Sequence, residues 1–130
     1  MTATRLLFVC THNAGRSALG AALARHHGGE RFAVASAGVA PAPTASAETI
    51  AVLAEIGVDD STHVPTLITE DLVAASDVVI AMKPGLDIPR VDGVVYETWE
   101  LPNPEGWGVA GVRELRDAID VRVTDLLARI

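Results

Sequence analysis

The chain has 130 residues, 49% of them hydrophobic, which suits one compact domain over residues 1–130 and argues against disorder. Its formal net charge of −7 weighs against nucleic acid or an anionic membrane as a partner, so any bound anion must be drawn by a local site against the field of the whole chain. No apolar run reaches the roughly 18 residues needed to span a bilayer, and the short run Leu6 to Val9 behind Arg5 leads into a polar loop, unlike a signal peptide, so the cytoplasm is the expected location.

Thr4 to Cys10 reads as a buried parallel strand ending at a polar, glycine-containing loop. Ser17 to His27 is rich in Ala and Leu and predicts a helix stopped by Gly28-Gly29. A second strand over Phe32 to Ala37 runs into the turn region Gly38 to Pro43. Thr44 or Ser46 can cap a helix with Ile50, Leu53 and Ile56 on one face, ended by Gly57. After the polar loop Asp59 to Pro65, Thr69 caps a short helix whose first residues, Glu70 and Asp71, suit the helix dipole. A third strand covers Asp77 to Met82, and Lys83 to Asp92 is a loop. Val94 to Thr98 predicts a short fourth strand and Trp99 to Gly108 a second long loop. Val109 to Ile130 is a long helix with the stripe Val112, Leu115, Ile119, Val123, Leu126 and Ile130. Strands alternating with helices predict an α/β fold, a parallel sheet flanked by helices on both faces. Sites in such sheets lie beyond the carboxyl ends of the strands. The loops that begin at Cys10, Lys83 and Trp99 are therefore expected to meet at one edge.

Cys10 is the only cysteine, which excludes an internal disulfide and a cysteine-based zinc site; no metal site is expected. The thiol opens the segment Cys10-Thr11-His12-Asn13-Ala14-Gly15-Arg16-Ser17, between a strand and a helix. A loop wrapping into a helix N-terminus aims backbone N–H groups at one spot, which favours a bound oxyanion and equally a thiolate. Thr11, His12, Asn13, Ala14 and Gly15 form the expected cradle, and the guanidinium of Arg16 can donate two parallel hydrogen bonds to the anion. Ser17 can donate to the sulfur, Gly15 permits close approach, and Asn13 tolerates left-handed geometry. The plainer reading, a buried cysteine beside a surface arginine, is outweighed by the strand-loop-helix setting. For His63 and for Trp99 and Trp107, the simpler roles are loop anchors.

The segment resembles the catalytic loop of the low-molecular-weight protein tyrosine phosphatases and of the arsenate reductases that share their fold. The resemblance continues through Ser36-Ala37-Gly38, Ser61-Thr62-His63-Val64-Pro65, the strand Ser76 to Met82, and Trp99-Glu100-Leu101-Pro102-Asn103-Pro104. It implies a four-stranded parallel sheet with flanking helices, the flavodoxin-like arrangement of that family, an enzyme with Cys10 as nucleophile, and an arsenate or phosphate substrate, phosphotyrosine included. His12-Asn13 and the Trp99 to Pro104 stretch lean towards the reductases. The family places an acidic Asp before the proline of that later stretch; here Asn103 occupies the position and cannot donate a proton as an acid. Thioredoxin-coupled reductases carry two further cysteines after the third strand, where Lys83 to Pro89 has none. A reductase of this kind implies no bound cofactor and an outside thiol, mycothiol or glutathione, with a glutaredoxin-like redoxin regenerating Cys10. Potassium-binding reductases carry a Glu where this chain has Ala21. Arsenate reduction is the first reading, hydrolysis of phosphate monoesters the alternative, and a non-catalytic oxyanion-binding module the third.

Overall fold

The structure, a computed structural model, describes residues 3–130. Strands β1 (Thr4–Cys10), β2 (Phe32–Gly38), β3 (Val78–Ala81) and β4 (Val95–Thr98) form one sheet in the order β2-β1-β3-β4. Every neighbouring pair is parallel. The helices are α1 (Arg16–Gly28), α2 (Ala47–Ala54), α3 (Glu70–Ala74) and α4 (Gly108–Arg129).

The alternation of side chains along β1 sorts the core into two layers. Leu6, Phe8 and Cys10 join a larger apolar cluster with residues of α1, α2 and α4, and Leu7 and Val9 join a smaller one with Ala37, Val73 and Val79. Both faces of β1 are thus covered, which explains its unbroken apolar run. The small residues of α1 let the helix lie close to the sheet. A Cβ at Gly20 would stand 2.7 Å from the Phe8 ring.

Two predicted faces differ from those observed. Ser46 caps α2, its Oγ accepting from the Thr49 N–H at 3.2 Å. The inward residues of α2 are Thr49, Val52 and Leu53. Ile50 is half-buried and Ile56 lies exposed beyond the helix end, because the helix stops at Ala54. In α4 the stripe from Val112 to Leu126 is buried as expected, Leu127 joins it, and Ile130 is exposed past the last turn.

A buried arginine that periodicity does not reveal ties α4 to α2. Arg116 donates to the Val52 carbonyl at 2.7 Å and to Glu55 Oε1 at 2.9 Å, and Arg113 grips the same carboxylate at 2.6 and 2.9 Å. Hydrogen bonding from Arg113, aided by Arg116, holds the Glu55 carboxyl down to about 2 against its ordinary 4.5. A depressed carboxyl contributes stability that is present above its ordinary range and lost as pH falls towards 2. Glu55→Gln should therefore be less stable than the parent at pH 7, with the gap closing between pH 4.5 and pH 2. Denaturant unfolding at pH 7, 4 and 2.5 checks this.

The loop after β3 leaves the same edge of the sheet as the Cys10 loop, but it does not line the cavity at Cys10. Leu86, Ile88 and Val91 pack against the smaller cluster, and Lys83 lines a separate cavity of about 130 Å³ with Arg90 and Tyr96. The segment after β2 packs against the Cys10 loop instead. Its Val39, Ala40 and Ala42 N–H groups donate to the carbonyls of Cys10, Thr11 and His12 at 3.1, 2.8 and 2.9 Å. No helix is long and apolar enough to cross a membrane among the described residues.

Candidate active site

β1 ends at Cys10 and α1 begins at Arg16, so the residues between them must turn the chain back on itself. Asn13 makes the turn in the left-handed region at φ 53 and is fully buried. Its amide is fixed by its partners. The Thr66 N–H can only donate, so the atom it meets at 2.9 Å is Oδ1, and Nδ2 donates to Ser17 Oγ at 2.8 Å. With a lone pair of Ser17 engaged, its own O–H is free to donate to Cys10 Sγ at 2.9 Å. The Asn13 N–H donates to the same sulfur at 3.2 Å. Two donors converge on the sulfur ahead of a helix N-terminus, where they can hold negative charge that develops there in a reaction. His63 Nε2–H donates to the Asn13 carbonyl at 2.6 Å, so His63 is the loop anchor expected of it.

The return of the loop requires close approach to β2 at Gly38. A Cβ there would lie 2.6 Å from the Thr11 carbonyl oxygen and 2.9 Å from the Asn13 nitrogen, both backbone atoms. Gly38→Ala should cost about 1–3 kcal/mol through overpacking and weaken phosphate binding as the loop shifts. Denaturant unfolding and a phosphate titration report the two effects.

Arg16 is 6% exposed. Its guanidinium donates to the Leu101 carbonyl at 3.2 Å, which joins the first loop to the stretch after β4. Its remaining N–H groups are available to an anion. Cys10, His12, Ala14, Gly15 and Arg16 line a cavity of about 560 Å³, together with Asn103, Pro104, Glu105 and Trp107. The structure therefore brings Asn103 to the cavity that holds the thiol. Its side chain is exposed, and Oδ1 accepts from the Glu105 N–H at 3.2 Å. Thr11, Asn13 and Ser17 do not line the cavity; Asn13 and Ser17 are buried with polar atoms on the sulfur, and the Thr11 carbonyl accepts from the Ala40 N–H. His12 Nδ1 donates to the Ala40 carbonyl at 3.0 Å, which places the ring proton on that nitrogen in the neutral form.

Glu105 lines the cavity and Glu100 does not. Only one of the two tryptophans is the loop anchor expected of both. Trp99 is the packed anchor, edge-on to Phe8 at 6.0 Å between ring centroids with its indole N–H on Glu97 at 2.8 Å, whereas Trp107, 45% exposed, walls the cavity. Behind the loop, Asp60 is buried with Oδ2 unpartnered, and burial raises its carboxyl while the neighbouring His63 opposes the rise. Ala21 packs inside the apolar core, so no oxygen ligand stands where potassium-binding reductases have their Glu, and the residues do not fit that cation. No group of three or more His, Cys, Asp and Glu side chains could hold a metal among the described residues. Sequence reading missed Thr66, the Leu101 carbonyl, Glu48 and the Ala40 to Pro43 wall. Of these, only the Ala40 to Pro43 wall carried a local signal, the proline-rich turn that directly follows the Ser36-Ala37-Gly38 ending of β2.

A thiol at a helix N-terminus, facing a buried guanidinium at the carboxyl edge of a parallel sheet, defines an enzyme that works on tetrahedral oxyanions through cysteine. Residues 5–87 match the model of the low molecular weight phosphotyrosine protein phosphatases, and the chain belongs to that family. It is 31% identical over 132 residues to the glutaredoxin arsenate reductase of Synechocystis, covering 97% of this chain and 98% of that one. It is 27% identical over 130 residues to arsenate reductase 1 of Staphylococcus epidermidis, covering 96% of each. A solved thioredoxin-dependent arsenate reductase of Corynebacterium glutamicum superposes with a TM-score of 0.87 at 35% identity. The match covers 98% of this chain and 61% of that longer one.

Proposed function

We propose that the chain, acting as one domain over residues 1–130, is an arsenate reductase in which Cys10 attacks arsenic and an external thiol completes the cycle. The observation that carries this reading is a lone cysteine over an anion-gripping loop, with Asn103 in place of an acid on the rim of its cavity. Arg16 and the N–H groups of His12, Ala14 and Gly15 hold arsenate, and the Ser17 O–H and Asn13 N–H stabilise the Cys10 thiolate. The sulfur attacks arsenic, an As–O bond breaks, and the oxygen leaves as water with protons that arsenate brings. Asn103 offers a hydrogen bond at most, and a protonated arsenate has less need of an acid than a phosphate ester has. The sulfur of the external thiol then attacks Cys10 Sγ. The S–S bond forms, the S–As bond breaks, and its electron pair stays on arsenic, which departs as arsenite. Two sulfurs have been oxidised and arsenic reduced by two electrons. A second thiol, on a glutaredoxin-like redoxin or in a small molecule, reduces the mixed disulfide. Mycothiol and glutathione are the candidate small thiols, and the thiol-rich cytoplasm suits this chemistry. Arsenite formation should be assayed with each thiol, with and without a glutaredoxin-like protein or a thioredoxin system. Absence of turnover in every combination would sink the proposal.

The exposed face of Trp107 on the cavity wall favours a second reading, an aryl phosphate as substrate. Cys10 would take the phosphoryl group and water would release it. In this account the missing acid limits the rate, so Asn103→Asp should raise hydrolysis of p-nitrophenyl phosphate about a hundredfold. A change below twofold would show that position 103 does not supply the proton.

A further inference from the structure

A tetrahedral oxyanion fills only the floor of the Cys10 cavity. Its five heavy atoms need the room of roughly three waters, on the order of 100 Å³. The cavity measures about 560 Å³, a size that suits a small organic molecule. Beyond the loop residues, the cavity is lined by Pro41 and Pro43 from the segment after β2, and by Trp107 and Val112 around the start of α4. The two prolines hold their backbone rigid, so this chamber is preformed. Glu48, in the first turn of α2, and Glu105 add two carboxylates. The other titratable groups in the lining are His12, Arg16 and Cys10 itself. With an oxyanion or a Cys10 adduct on the floor, Arg16 is neutralised. The two carboxylates and the net charge of −7 then set the sign of the chamber.

We infer that this chamber seats the external thiol for its attack on Cys10, and that Glu48 and Glu105 select a thiol without net negative charge. The inference rests on the reductase reading of the same site. It specifies where the second sulfur waits: in the preformed space directly above the first, where S–S bond formation and S–As cleavage can occur without movement of the loop. A thiol bearing free carboxylates is repelled, and one with uncharged polar groups or an amine is accepted.

The test separates binding from turnover. S-methylglutathione and its diethyl ester cannot react at sulfur and differ mainly in their two carboxylates. Each is titrated by calorimetry into the parent protein holding inorganic phosphate. The ester should bind at least about fivefold more tightly, a preference that weakens with added salt. In Glu48→Gln/Glu105→Gln, with folding checked by circular dichroism, the two ligands should bind within about twofold of each other. Equal binding by the parent protein, tighter binding of the acid, binding of neither, or an unchanged preference in the double variant would each overturn the inference. Phenyl phosphate binding far more tightly than inorganic phosphate, with neither glutathione derivative bound, would give the chamber to an aryl ester and overturn it too. Failure of the reductase reading shows separately: no arsenite from any thiol, with the ester preference intact, overturns that reading and leaves the binding site supported.

Discussion

Cys10→Ser should lower turnover by at least about a thousandfold while leaving phosphate affinity within about threefold of the parent. The substitution swaps sulfur for oxygen at a position 2% exposed and leaves the anion-gripping loop in place. The Asn13 N–H and Ser17 O–H can hold negative charge that develops on the sulfur, but they cannot hold an alkoxide at neutral pH, because an alcohol parts with its proton far less readily than a thiol. Arg16 and the cradle do not depend on the sulfur, so the anion should still bind. Initial rates and a calorimetric phosphate titration on the same preparation decide the matter. A serine variant within tenfold of the parent rate would contradict a role for Cys10 as nucleophile. Lost phosphate binding would show instead that the loop had collapsed.

Asn13→Ala should destabilise the fold by about 2–4 kcal/mol and slow turnover about ten- to a hundredfold. One part of the stability loss is conformational, since alanine at φ 53 has none of the local bonding that lets asparagine sit there. The other part is the part-buried bond from the Thr66 N–H, which loses Asn13 Oδ1, and the Asn13 side chain, itself fully buried, leaves a gap behind the loop. The rate suffers because Ser17 loses the donor that directs its own proton to Cys10 Sγ. Asn13→Gly separates the two parts: it should recover the conformational share of the stability and little of the rate. Chemical denaturation and initial rates read both. If alanine and glycine gave equal loss of stability, the backbone strain at Asn13 would be no part of the cost.

The pairing of Cys10 with Arg16 and Ser17 was legible because a single turn from strand to helix brings these residues together. The order of elements was legible for the same reason, since caps such as Ser46 and Thr69 and stripes such as Val112 to Leu126 are written in local spacing. The supports of the loop were not. Thr66, His63 and the Leu101 carbonyl meet Asn13 and Arg16 only through the tertiary fold, and each of these contacts uses a backbone atom that no side-chain pattern advertises. The face of α2 was misread because Arg116 and Thr49 are buried there, polar groups that an apolar count passes over. The loop at Lys83 leaves the expected edge of the sheet, but it lines a cavity separate from that of Cys10. Its apolar residues follow the second core layer, and nothing in their spacing states which layer has room.

In the proposed cycle Cys10 passes from an arsenic adduct to a mixed disulfide with an outside thiol. The most direct test is mass spectrometry of the Cys10 peptide after one turnover with arsenate and a small thiol, with every redoxin left out. The account predicts one thiol molecule in disulfide linkage to Cys10 and one arsenite released for each protein. Arsenite formed with Cys10 left free throughout, or Cys10 carrying the thiol at the same rate when arsenate is withheld, would contradict it.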